Sequence, residues 1–184
     1  MSVRRGAAFA AGLVLVAGLL AGCAAKPGVA AVADDRTITT AELAETGRAL
    51  TTLLGGSPPA AQLLQDLVYV PVIISTAEEA GMKVSDAEAV AWLTGEFGQP
   101  AVEAAEDPGV LAMARLSVIL ERLEATPDQV LVAMINRAVE GVDVTVNPRF
   151  GVFDPALPAI MDPEVPDWIY VPAWDSGPLG YVPF

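Results

Sequence analysis

Apolar positions along this chain follow two periods, and glycine and proline mark where one block gives way to the next. Val29–Ala33 is a short apolar run, and Asp34-Asp35-Arg36 is turn-like before Thr37-Ile38. This predicts a short strand and a turn leading into a helix. Thr39 and Glu42 have the spacing of a capping box. Leu43, Leu50, Leu53 and Leu54 follow at helical spacing, and Gly55-Gly56 ends the block. After Ser57-Pro58-Pro59, the residues Leu63, Leu64, Leu67, Val68, Val70, Ile73 and Ile74 cover most of a helix circumference, as in a buried helix. Pro71 lies inside this block and predicts a kink. Ser85 and Glu88 make a second capping box, opening a helix to about Phe97 with Val90, Leu93 and Phe97 as its apolar stripe. Gly98-Gln99-Pro100 breaks that pattern. Asp107-Pro108 starts a long apolar helix, and Thr126-Pro127-Asp128-Gln129 starts another that carries Val130, Leu131, Met134, Ile135 and Ala138 and stops at Gly141. Val142–Val146 alternates with period two, as a half-buried strand does.

The final thirty residues hold seven of the fifteen prolines, four acids and no base, which predicts an extended tail. The chain therefore reads as a mainly α protein. It is expected to be a compact bundle of about five helices, with a small pair of short strands from the two ends of the domain and an extended Pro-rich C-terminal tail. If the first and last strands pair, they tie the two ends of the helical domain together.

One apolar run stands apart. It follows Arg4 and Arg5, extends from Gly6 to Leu20 and ends in Leu20-Ala21-Gly22-Cys23. A basic start, a short apolar stretch and small residues before a cut describe a secretory signal. About fifteen apolar residues fall short of the roughly twenty that span a bilayer. With cysteine directly after Leu-Ala-Gly, the stretch resembles the lipobox of bacterial lipoproteins. That resemblance implies cleavage before Cys23, a diacylglyceryl group on its sulfur, and residence on the extracytoplasmic face of the cell membrane. Two acyl chains suffice for stable anchoring, at about 0.8 kcal/mol per buried CH₂. The expected divisions are a signal peptide at 1–22, a lipidated tether at 23–28, a helical domain at 29–152 and a tail at 153–184.

Charge and composition narrow the function classes. The signal carries two arginines and no acid, so the remainder has 8 basic and 23 acidic side chains and a formal net charge of −15. Such a surface repels nucleic acid and anionic headgroups, so nucleic acid is not an expected partner. Cys23 is the sole cysteine and histidine is absent. That excludes an intramolecular disulfide, a cysteine metal site and every histidine-dependent nucleophile. No catalytic residue, metal site or cofactor is expected, and the chain does not read as an enzyme.

Two stretches bring a family into view. Val29-Ala30-Ala31-Val32-Ala33-Asp34-Asp35-Arg36-Thr37-Ile38-Thr39-Thr40-Ala41-Glu42-Leu43 resembles the opening of the SurA-like chaperone N-terminal domain. Ala77-Glu78-Glu79-Ala80-Gly81-Met82-Lys83-Val84-Ser85-Asp86-Ala87-Glu88 is similar to that family's passage from a long apolar helix into the next capped one. The approach to Val146-Asn147-Pro148-Arg149-Phe150-Gly151 looks like the end of actinobacterial lipoproteins of this group. The resemblance covers roughly residues 29–152. It implies a domain that binds unfolded exported polypeptides through apolar surface. Many family members also carry a prolyl-isomerising parvulin domain of roughly a hundred residues. Here only a short linker separates Phe97 from Asp107, and the histidines of that site are missing, so the resemblance leaves a holdase-type chaperone without isomerase chemistry. The alternative of another class is a structural or adaptor lipoprotein that binds a single folded envelope partner.

Individual residues sharpen these expectations. Trp92 sits nearly opposite the Val90/Leu93/Phe97 stripe, where it is either an exposed contact for an unfolded client or a side chain covered by the long helices or the tail. Met82, Met113 and Met134 could supply the adaptable apolar surface of promiscuous binders, although two lie in apolar helices where core packing is the simpler expectation. Asp34-Asp35 and Glu78-Glu79 are expected as solvated charges. Asp162, Glu164 and Asp167 lack the glycine and ligand register of a calcium loop. Trp168, Tyr170, Trp174, Tyr181 and Phe184 make the tail more aromatic than a spacer needs, so it either folds back onto the domain or meets the membrane interface or cell wall.

Overall fold

The computed structural model describes residues 26–163. Its first strand, β1 (Val29–Ala33), turns through Asp34-Asp35 into β2 (Arg36–Thr39), and Asp34 takes the left-handed backbone that this tight turn requires, with φ 48°. After six helices the chain returns as β3 (Val144–Val146), which pairs antiparallel with β1, so β1 is the centre of a β2-β1-β3 sheet. The expected pairing of the two ends is present, with Ala31 opposite Val146 and Ala33 opposite Val144. Side chains fasten the pair at both extremities. Asp34 donates its N–H to the Asp143 carbonyl at 2.9 Å and accepts the Asp143 N–H on Oδ1 at 3.0 Å. At the far end Asn147 donates from its backbone to Ala30 O and from Nδ2 to Val29 O, each at 2.9 Å.

The helices are α1 (Thr40–Leu54), α2 (Ala60–Glu79), α3 (Asp86–Phe97), α4 (Pro100–Ala104), α5 (Pro108–Ala125) and α6 (Gln129–Glu140). Local capping chemistry sets their starts. Ser85 and Glu88 form the complete reciprocal box of α3. Asp107 accepts from the Gly109 and Val110 amides, and Asp128 from those of Val130 and Leu131. Asp128 therefore caps α6, while Thr126 ends α5. At α1 only half the expected box forms. Thr39 accepts from the Glu42 amide at 3.0 Å, but the Glu42 carboxylate turns to the Arg36 guanidinium instead of returning to Thr39.

Helix α4 is the sixth helix where about five were expected. Gly98-Gln99-Pro100 reads as a breaker, yet Pro100 occupies the first helical turn, where its missing N–H leaves no bond unmade. Ala101 and Ala104, three apart, are buried in a cluster with Ala89, Leu93, Val110 and Ala114. The same cluster corrects the stripe of α3. Its buried positions are Ala89 and Leu93, while Phe97 is exposed, because a small alanine lets α3 approach its neighbours more closely than Val90 would.

Helix α2 is the axis of the fold. By length and composition it could cross a membrane, but it lies among α1, α5, α6 and β5 and supplies Leu63, Leu64, Leu67 and Val68 to one core cluster and Val70, Ile74 and Ala77 to another. The helix continues through Pro71. Proline has no N–H to give the carbonyl four residues earlier, and that carbonyl, Leu67 O, instead accepts from the Arg36 guanidinium. A strand residue thus repairs the hydrogen bond that the proline deletes.

Residues 153–161, expected to belong to an extended tail, are folded instead. β4 (Val152–Asp154) and β5 (Ala159–Met161) pair antiparallel, and the buried Ile160 docks on α2 with its N–H donated to Gln65 Oε1 at 3.0 Å. Pro155 and Pro158 fall between the strands, where they remove no ladder bond. Gly151 permits the docking. A Cβ there would lie 2.6 Å from Ile160 Cγ2 and 2.7 Å from the Met161 carbonyl.

Candidate client-contact surface

Helix α6 carries the most exposed large apolar helical side chain among the described residues. Asp128 fixes its start, and Leu131 is buried against the α2 side with Ile135 and Val139 packed on the neighbouring clusters. Its apolar arc is wider than α2 covers. Val130 and Met134, one turn apart, are 71% and 39% exposed, and Val132 on the opposite flank is 38% exposed. Arg137, also exposed, extends the Val130–Met134 line by a further turn. The ion pairs of the described residues use Arg36, Arg48, Arg115 and Arg122, and Arg137 takes part in none of them.

The methionines divide. Met113 packs partly buried against the core, as expected, and Met82 does so too, whereas Met134 faces solvent despite lying in an apolar helix. Trp92 occupies an intermediate position. Its ring packs on the cluster of Ala89 and Leu93 and meets Phe97 edge-on at 6.4 Å and 68°, and Nε1 donates to the Glu121 carboxylate of α5. The indole therefore joins α3 to α5 with only part of its surface in solvent. It lies beside the buried face of α3 instead of opposite it, because that face centres on Ala89 and Leu93. Phe97, Leu54 and Val102 are exposed on α3, α1 and α4, the elements that meet around α4.

Two of the expected solvated acids have partners. Asp34 closes the β1–β3 end as described, and Glu78 pairs with Arg115, whose Nε also donates to Val84 O at 3.0 Å. Glu88 is held down to about 2 by the Ser85 amide and hydroxyl and by Arg122. Its contribution to stability is present above the ordinary carboxylate range and lost as pH falls through about 2.

A cleft of about 230 Å³ opens between α1, α2 and the start of α5, lined by Arg36, Asp66, Pro71, Asp107 and Met113 among others. Burial pushes the Asp66 carboxyl above its ordinary value. The folded state then binds that proton more tightly than the unfolded chain, so the ionised carboxylate opposes folding at neutral pH and the opposition disappears below the ordinary carboxylate range. Asp66→Asn is expected to raise the melting temperature at pH 7 by about 1–2 °C, a small gain because solvent screens a half-buried group. The gain should fade by pH 4. An equal gain at both pH values in thermal melts would show that ionisation is not its cause.

Cys23 lies outside the described residues, as do Glu164, Asp167 and the aromatic residues Trp168, Tyr170, Trp174, Tyr181 and Phe184. Asp162 is exposed, and among the described residues no three histidine, cysteine or carboxylate side chains gather as metal ligands. The sequence singles out Trp92 and Met134 but not Val130 or Arg137. The available signal was the breadth of the α6 apolar arc, since Val130 and Val132 flank Leu131 on both sides. No family model, curated protein or solved structure matches the chain.

Proposed function

We propose that the chain is a lipoprotein anchored through Cys23 at the extracytoplasmic membrane face, where its SurA-like helical domain acts as a holdase for unfolded exported polypeptides. The observation that carries the reading is the Val130–Met134 line on α6, apolar side chains in water on a helix whose inner face is already packed. Unfolded clients present apolar segments, and burying these at roughly 25 cal/mol per Å² supplies affinity without any catalytic group. Met134 suits varied clients because its thioether chain adapts to different shapes.

Replacing Val130 and Met134 together by glutamine is expected to remove at least half of the suppression when a chemically denatured client aggregates in the presence of the chain. The melting temperature should stay within about 3 °C of the parent, since both side chains face solvent. If the parent never suppresses aggregation, the holdase reading fails. If the variant suppresses as well as the parent, α6 is not the surface.

A further inference from the structure

We infer that the α6 surface selects client segments in which an apolar stretch is followed by a carboxylate, with Arg137 as the group that reads the charge. The inference rests on the holdase reading and adds the client class.

Val130, Met134 and Arg137 succeed one another at i, i+4 and i+7, so they form one line along the helix with the cation at its C-terminal end. Arg36, Arg115 and Arg122 hold carboxylates and backbone carbonyls that join elements of the fold. Arg137 holds no carboxylate among the described residues and remains exposed. Its place in the last turn suits the helix dipole. The dipole accounts for a cation there, but not for its alignment with two exposed apolar side chains. A guanidinium in that line offers a planar fork to a carboxylate lying just beyond the apolar contacts.

The net charge of −13 acts in the opposite sense at long range, favouring basic segments. At about 0.15 M salt the screening length is roughly 8 Å, so distant acids fade while a contact at Arg137 persists. Glu140, three residues on, lies within that length but is common to parent and variants, so the change in charge preference on substituting Arg137 reports the local group.

The test uses the full-length chain and two labelled peptides at about 0.15 M salt. Both carry two leucines and a phenylalanine, followed by two aspartates in one and two lysines in the other. Binding is followed by fluorescence anisotropy. The ratio of aspartate to lysine peptide affinity is expected to fall at least fivefold from the parent to Arg137→Glu, with Arg137→Gln between them. That size corresponds to roughly 1 kcal/mol for an exposed charge pair. Thermal melts of both variants check folding, and the glutamine variant carries the test if the glutamate one is unstable. A ratio unchanged by either substitution overturns the charge-reading role and leaves the holdase reading standing. Failure of both peptides to bind the parent, with no suppression of aggregation, removes both.

Discussion

Arg36→Met is expected to destabilise the protein by about 1.5–3 kcal/mol, and the same substitution should cost less than about 1 kcal/mol in a Pro71→Ala background. The size follows from losing a hydrogen bond with a charged donor, because the Arg36–Glu42 ion pair is too exposed to add more than a fraction of this. The coupling is the informative part. With proline at 71, the Leu67 carbonyl has no intrahelical donor and depends on Arg36. With alanine at 71, the helix supplies the missing N–H and Arg36 becomes redundant. Chemical unfolding of the four proteins in this cycle measures the coupling directly. Equal losses from Arg36→Met in both backgrounds would mean that the guanidinium stabilises something other than that carbonyl.

Gly109→Val is expected to cost about 3 kcal/mol, lowering the melting temperature by roughly 10 °C. Gly109 stands in the first turn of α5, where that helix crosses α1 and α2. A Cβ there would lie 2.7 Å from Thr46 Oγ1, 2.8 Å from Thr46 Cγ2 and 3.0 Å from Leu67 Cδ2. Thr46 is 1% exposed, so it has nowhere to retreat. In a helix open to solvent, replacing glycine usually helps, and the expected loss therefore isolates the close approach. Adding Thr46→Ala removes the two nearest atoms and should restore part of the stability. A Gly109→Val protein that melts with the parent would show that the three helices part freely at this junction.

These features differ in how far the sequence exposes them. Caps are local, and the Ser85–Glu88 box and the Asp107-Pro108 start are read from four or five residues. The alternation at Val142–Val146 and the run at Val29–Ala33 identify the strands that pair. Helix α4 escapes notice because Pro100 reads equally as a stop or as a first-turn residue, and only the burial of Ala101 and Ala104 distinguishes the two. The face of α3 is misjudged for a related reason. Alanine carries little weight in an apolar count, although a close helix crossing requires it. The β4–β5 hairpin is hidden when prolines are counted over thirty residues, since what matters is that Pro155 and Pro158 fall between strands. The tie from Arg36 to Leu67 has no local signature at all. On the surface, Met134 is indistinguishable by sequence from a core methionine until its exposure is known.

The closing of β1 onto β3 bears on the order of assembly. Asn147 holds Val29 across 118 positions of sequence, so the central strand cannot complete its sheet until nearly all of the helical part has been delivered. A chain that emerges from its N-terminus keeps the outer edge of β1 unpaired for most of that time, with only the adjacent β2 beside it. Such long-range pairing slows folding because loop closure must come before its contacts form. The alanines of β1 offer little sticky surface during the wait, and the Asp34 and Asn147 clasps engage only when both termini of the sheet arrive. Strand β3 therefore acts as a latch on this sheet, which is complete only after it closes.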